Sequence, residues 1–172
     1  MVADHDSRRC RGVSVHGVML QTSLLKLEAD YLAPDGSEIR VLPTMKGGGL
    51  CHCTLPAGKT SSPVAHRQVE EIWYVLTGEG EVWRKNAATE EPIHVTAGTS
   101  LTIPPRTSFQ FRNTGTGPLC ILIVTMPPWP GAQEAEKTGG VWPATVGSDT
   151  DAGPASVAAE TGMKTRGRRE HN

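Results

Sequence analysis

The stretch GKTSSPVAHRQVEEIWYVLTGEG, residues 58–80, holds a compact run of β-branched and aromatic residues between glycine-rich ends. Residues 72–76 (IWYVL) suit a pleated, half-buried strand. Thr77-Gly78-Glu79-Gly80 closes the run, and residues 81–84 are expected as the second arm of a tight hairpin, with Gly78 and Gly80 at positive φ. The same rhythm extends in both directions. Downstream, residues 93–95, 100–103, 108–112 and 119–125 read as strands, separated by Gly98, by Pro104-Pro105 and by a turn at 113–117. Upstream, residues 37–42 and 50–55 read as strands, with a glycine loop at 46–49 between them and the Asp35-Gly36 turn before them. Residues 22–31 (TSLLKLEADY) fit either a short helix or a strand. Short strands at close spacing with Gly/Pro turns predict an all-β sandwich or barrel.

The chain has 172 residues, a length that suits one domain with a real hydrophobic core. Lys and Arg number 17 against 18 Asp and Glu, a formal net charge of -1, which argues against a protein built to grip a polyanion; no nucleic-acid partner is expected. No apolar run approaches the ~20 residues of a membrane span, so no membrane partner is expected either. The opening segment MVADHDSRRCRG has no apolar stretch behind it of the kind a secretory signal needs. The 4 cysteines, at positions 10, 51, 53 and 120, form no CxxC pair, which points to reduced thiols in a cytoplasm. On a strand, Cys51 and Cys53 share one face and His52 takes the other, so this triplet reads as buried thiols rather than a zinc set. Residues 144–172 contain almost no large apolar side chain and are expected to be disordered; a small basic cluster, Lys164, Arg166, Arg168 and Arg169, falls within them.

Two spacings are more specific than the strand rhythm. Gly58, five residues, Val64-Ala65-His66, four residues, Glu71, six residues and Gly78 form the first. Gly98, five residues, Pro104-Pro105-Arg106, two residues, Phe109, three residues and Asn113 form the second, with residues 79–97 between the two. Both resemble the paired motifs of the cupin superfamily, in which the first runs Gly, His-x-His, Glu, Gly and the second Gly, Pro-x-Gly, His, Asn. The resemblance covers about residues 38–126. It implies a single antiparallel β-barrel or jelly roll with an open mouth, here residues 37–131. An N-terminal arm (1–36) would precede it, and an extension with a disordered C-terminal tail (132–172) would follow. Cupins commonly pair through an edge strand or exchanged termini, so a homodimer is expected.

The departures from the pattern bear on function. A full cupin presents three His and one Glu to a divalent metal, and only His66 and Glu71 match here. Val64 stands where the first His belongs and Phe109 where the third belongs, and carbon surfaces cannot donate to a metal. Glu70, Gln68, Gln110, His52 and His94 are the conceivable stand-ins, but Glu70 and Gln110 fall on the opposite strand face. No cofactor is therefore required, with a divalent metal (Fe, Mn, Ni or Zn) as the alternative, held by His66 and Glu71. By the strand period, Trp73 shares a face with Glu71, and Phe109 shares one with Phe111. The resemblance then places Val64, Trp73, Phe109 and Phe111 around a His66–Glu71 pair in an apolar, substrate-binding pocket. Equally, the three aromatic residues fit as mere barrel filling, and His66 as a rim histidine hydrogen-bonded to Glu71. Trp83, Trp129 and Trp142 read as packing or lid residues. Arg67, Arg84, Arg106 and Arg112 are candidates for holding an anionic group. The leading expectation is a small-molecule enzyme with acid–base chemistry on His66 and Glu71, of isomerase, cyclase or lyase type. A metal-dependent oxygenase with substitute ligands and a non-catalytic small-ligand-binding protein are the alternatives.

Overall fold

A computed structural model of the protein describes residues 20–146. The disorder expected beyond residue 146 and the basic cluster at 164–169 lie outside the described residues. Among the described residues, eleven strands make up two facing antiparallel sheets: β1 (Tyr31–Leu32), β2 (Glu38–Met45), β3 (Gly48–Leu55), β4 (Val64–His66), β5 (Glu70–Thr77), β6 (Glu79–Lys85), β7 (Glu90–Thr96), β8 (Ser100–Ile103), β9 (Ser108–Asn113), β10 (Leu119–Met126) and β11 (Ala135–Lys137). One sheet has the order β1-β2-β3-β10-β5-β8 and the other β11-β4-β9-β6-β7. Period-2 alternation is plain in β5, where Glu71, Trp73 and Val75 are buried and Glu70, Ile72 and Tyr74 are exposed. The inner faces meet in a core that includes Leu55, Trp73, Val82, Phe111 and Ile121.

The expected hairpin after residue 76 is not there. β5 pairs with β8 and β10, whereas β6 pairs with β7 and β9, so the chain changes sheets at Gly78. Gly78 does have φ 85, as a corner requires. Gly80 has no positive φ; it lies inside β6, and a side chain there would collide with the Arg112 carbonyl. A hairpin and a sheet-crossing corner carry the same local glycine signal, and only the long-range pairing separates them. A second crossing, between β8 and β9, places Arg106 at φ 60 in the position where the cupin motif has glycine.

Residues 22–31 form neither a helix nor a full strand; only Tyr31 enters β1. Leu20, Leu24 and Leu27 are almost fully exposed, so no packed face exists to support a helix. The segment is instead tied along β2, with Gln21 bonded to the Thr44 backbone, Arg40 to the Leu27 carbonyl, and Asp30 accepting from the Val41 N–H. At the other end, order continues past residue 143. The Thr145 N–H donates to the Thr60 carbonyl at 2.9 Å, and the Thr145 hydroxyl accepts from the Thr60 N–H at 2.8 Å. Val146 packs on the core. Composition missed these residues because backbone groups hold them more than apolar side chains do. Gln110 is the main clamp: its amide nitrogen donates to the Ser61 and Trp142 carbonyls, and its oxygen accepts from the Val141 and Trp142 N–H groups.

Candidate functional site

Between the two sheets lies a cavity of about 480 Å³. β4 contributes Val64 and His66, β5 contributes Glu71 and Trp73, and β9 contributes Phe109. Alternation along each strand aims these side chains the same way, and the register opposes Val64 to Phe109. The structure thus brings together five of the six residues singled out from the sequence. The exception is Phe111. It shares the Phe109 face but sits deeper, fully buried against Trp73 at 5.2 Å between ring centroids, and belongs to the core rather than to the cavity wall.

Glu71 is buried, and burial pushes its carboxyl up from the ordinary 4.5 to about 8. The Trp73 Nε1–H donates to its Oε2 at 2.7 Å, which opposes the rise, while the nearby Asp35 adds to it. His66 is also buried, and burial lowers it from 6.5 to about 4, against a smaller opposing effect from the Glu134 carboxylate. At neutral pH Glu71 is therefore mostly a carboxylic acid and His66 a neutral imidazole. Their closest approach, His66 Nδ1 to Glu71 Oε1, is 3.7 Å, which is neither a hydrogen bond nor an ion pair between two neutral groups. The expected His66–Glu71 hydrogen bond is thus absent, and among the described residues His66 Nδ1 has no hydrogen-bond partner. Phe109 and Trp129 hold the imidazole edge-on, at 5.1 and 5.0 Å between centroids.

Several site residues escaped sequence reasoning. Asp35, read only as half of a turn, is buried at the cavity wall, and burial raises its carboxyl. Its Oδ1 accepts from both the N–H and the hydroxyl of Ser37. Cys51 faces the cavity as a thiol, pushed up to about 12 by burial first and then by Glu71 and Asp35, so it is no nucleophile at neutral pH. Trp129, expected only as a packing or lid residue, reaches the wall from a proline-flanked strap whose next turn carries Glu134. Glu134 is buried, and burial alone would raise its carboxyl, but the N–H groups of Gln68 and Val69 donate to its Oε1 and hold it below its ordinary value. These contacts are set by the extension after β10, for which the sequence offered no periodic signal.

The residues do not fit the divalent metal implied by the fold family. Of the family's four ligand positions only His66 and Glu71 carry donors; Asp35 and Cys51 also line the cavity, but among the described residues no group of three or more His, Cys, Asp or Glu converges. The stand-ins do not supply the rest: Glu70, Gln68 and His94 are exposed, His52 lies on the other face of β3, and Gln110 is committed to its backbone clamp. Nor do the arginines reach in. Arg67 pairs with Glu136, Arg84 donates to the Thr102 carbonyl, Arg112 pairs with Glu81 beneath Trp142, and Arg106 is exposed.

Residues 51–125 match the cupin domain family. An uncharacterized protein of Methanocaldococcus jannaschii is 33% identical over 120 residues, which cover 64% of this chain and 93% of that one. The chain belongs to the cupin superfamily. Solved structures agree on the fold. A double-stranded β-helix protein from Klebsiella pneumoniae superposes with a TM-score of 0.52 at 17% identity, over 66% of this cupin and all of its own chain. Peruvianin-I, a cysteine peptidase from Thevetia peruviana latex, superposes at 0.54 with 16% identity, over 64% of this chain and 72% of that one. At such identities the likeness extends to the barrel alone. No helix among the described residues is long and apolar enough to cross a membrane.

Proposed function

We propose that this cupin carries out acid–base chemistry on a small molecule inside the barrel, with Glu71 as proton donor and His66 as proton acceptor. The observation that carries the reading is the buried Glu71 carboxyl, oriented by the Trp73 Nε1–H and pushed up by burial to about 8, beside a His66 Nδ1 that has no hydrogen-bond partner among the described residues. A carboxylic acid can donate to a substrate carbonyl or hydroxyl oxygen while the neutral imidazole takes a proton from a neighbouring carbon. At 3.7 Å, the two atoms are spaced to address adjacent substrate atoms. The imidazolium that forms feels the charge of the Glu134 carboxylate, which favours its charged form. Return of that proton to a different carbon gives isomerisation, and departure of a leaving group gives elimination. The apolar wall from Val64, Trp73 and Phe109 positions the carbon frame and keeps water away.

Exchange of carbon-bound hydrogen tests this reading before any substrate is identified. The purified protein is incubated in D₂O with panels of small metabolites, and loss of C–H signals is followed by NMR. Wild type should wash out protons from at least one compound. His66→Ala and Glu71→Gln should each slow this by ~10²–10⁴-fold, with the double variant scarcely worse than either. Binding without exchange would make the protein a ligand-binding module instead. One tightly bound divalent ion per purified chain would overturn the metal-free chemistry.

A further inference from the structure

We propose that the cavity selects organic cations, molecules that carry an ammonium group on an apolar frame. The inference rests on the cavity being the working site, as above, but concerns what enters rather than what reaction follows. Charge distribution is the first argument. Two buried carboxyls, Asp35 and Glu71, face the cavity, and no lysine or arginine among the described residues lines it. A carboxylate or phosphate ligand would be desolvated there with no lysine or arginine to pair it, whereas an ammonium group can pair with the Asp35 carboxyl as a carboxylate and donate to the neutral Glu71 as an acceptor.

Acceptor geometry is the second. Both Ser37 hydrogen bonds to Asp35 fall on Oδ1, which leaves Oδ2 for a ligand. His66, only 5% exposed, has no hydrogen-bond partner on Nδ1 among the described residues, and in its Nε2–H tautomer that nitrogen is an acceptor. These acceptors call for N–H donors, and an ammonium group has them in several directions. The third argument is the wall. Tyr31, Trp73, Phe109 and Trp129 all border the cavity, and aromatic faces attract a cation while remaining compatible with its carbon frame. Two carboxyl groups set among aromatic rings, with no lysine or arginine among the described residues beside them, suit an ammonium ligand. The volume of about 480 Å³ suits a molecule of drug-like size rather than a small ion.

The test compares three probes on the same phenyl-and-three-carbon frame that end in a cation, a neutral group and an anion: 3-phenylpropylamine, 3-phenylpropanol and 3-phenylpropionate. Affinities for the full-length protein are measured by calorimetry at pH 7. The amine should bind about tenfold tighter than the alcohol and about a hundredfold tighter than the acid. Asp35→Asn, which keeps an acceptor for Ser37, should shrink the amine's advantage while leaving the alcohol nearly unaffected. If that variant fails to fold, Trp129→Leu should weaken the amine more than the alcohol. Equal affinities, preference for the acid, or no binding by any of the three overturns the proposal. Because binding is read without turnover, cation selection can hold even if the proton-exchange experiment fails, and the reverse.

Discussion

Replacing Glu71 by glutamine keeps the shape of the side chain and an oxygen acceptor for Trp73 Nε1, but removes the titrating group. The carboxyl stands at about 8 in the fold against an ordinary 4.5. Between those values the unfolded chain has released this proton and the folded chain retains it. The folded state therefore binds more protons, and the stability contributed by this residue falls as pH rises. Each pKa unit corresponds to ~1.4 kcal/mol, so raising the pH from 5 to 8 should cost wild type about 3 kcal/mol through Glu71. Glutamine suffers none of that loss. His66 acts in the opposite direction: lowered from 6.5 to about 4, it removes stability as pH falls below 6.5. Both proteins share that behaviour, so it cancels in the difference between them. Urea unfolding of wild type and Glu71→Gln side by side at pH 5, 6, 7 and 8 measures the gap directly. The gap should move by about 3 kcal/mol in favour of the variant across this range. Any constant cost of the amide in the core drops out. Two stability curves that run parallel would refute the reasoning, because Glu71 would then ionise at its ordinary pH and could not serve as a neutral-pH acid.

Two further substitutions test the placement of the barrel. Gly78→Ala puts a Cβ at φ 85 and 2.6 Å from the Pro118 carbonyl oxygen, so it should lower the unfolding free energy by roughly 2 kcal/mol or more. Gly139→Ala, with open space around it, should change the denaturant midpoint by less than ~0.5 kcal/mol equivalent; equal losses at the two sites would rule out the corner. Gln110→Ala strips partners from the Ser61 carbonyl and from the backbone at 141–142, and should cost roughly 2 kcal/mol. The same change should expose residues 138–146 to limited proteolysis well before the barrel is cut, and unchanged cleavage would show that the clamp is dispensable.

Strand content was legible because it depends on local pattern. β8 appears at the expected residues, and β3, β5, β9 and β10 differ from expectation by a residue or two at their ends, since alternating apolar residues between Gly and Pro turns specify half-buried strands almost alone. The spacing of the two motifs likewise brought His66, Glu71, Val64 and Phe109 to one cavity. Alternation told which side chains share a face, and it correctly kept Glu70 and Gln110 out. What it could not supply was depth: Phe109 and Phe111 have the same parity on one strand, yet one borders the cavity and the other fills the core.

The residues themselves determined an all-β cupin barrel and the absence of histidine at positions 64 and 109, because both follow from residue type at fixed local spacing. Tertiary structure alone decided the rest. Whether Gly78 turns a hairpin or a corner depends on which strands pair, and those partners lie tens of residues away. That Asp35 and Trp129 join the site depends on segments outside the motifs folding over the mouth of the barrel. Above all, the charge state of Glu71 and His66 depends on how completely the surrounding barrel removes water from them. Desolvation is a property of the whole enclosure, and no single stretch of chain encodes it.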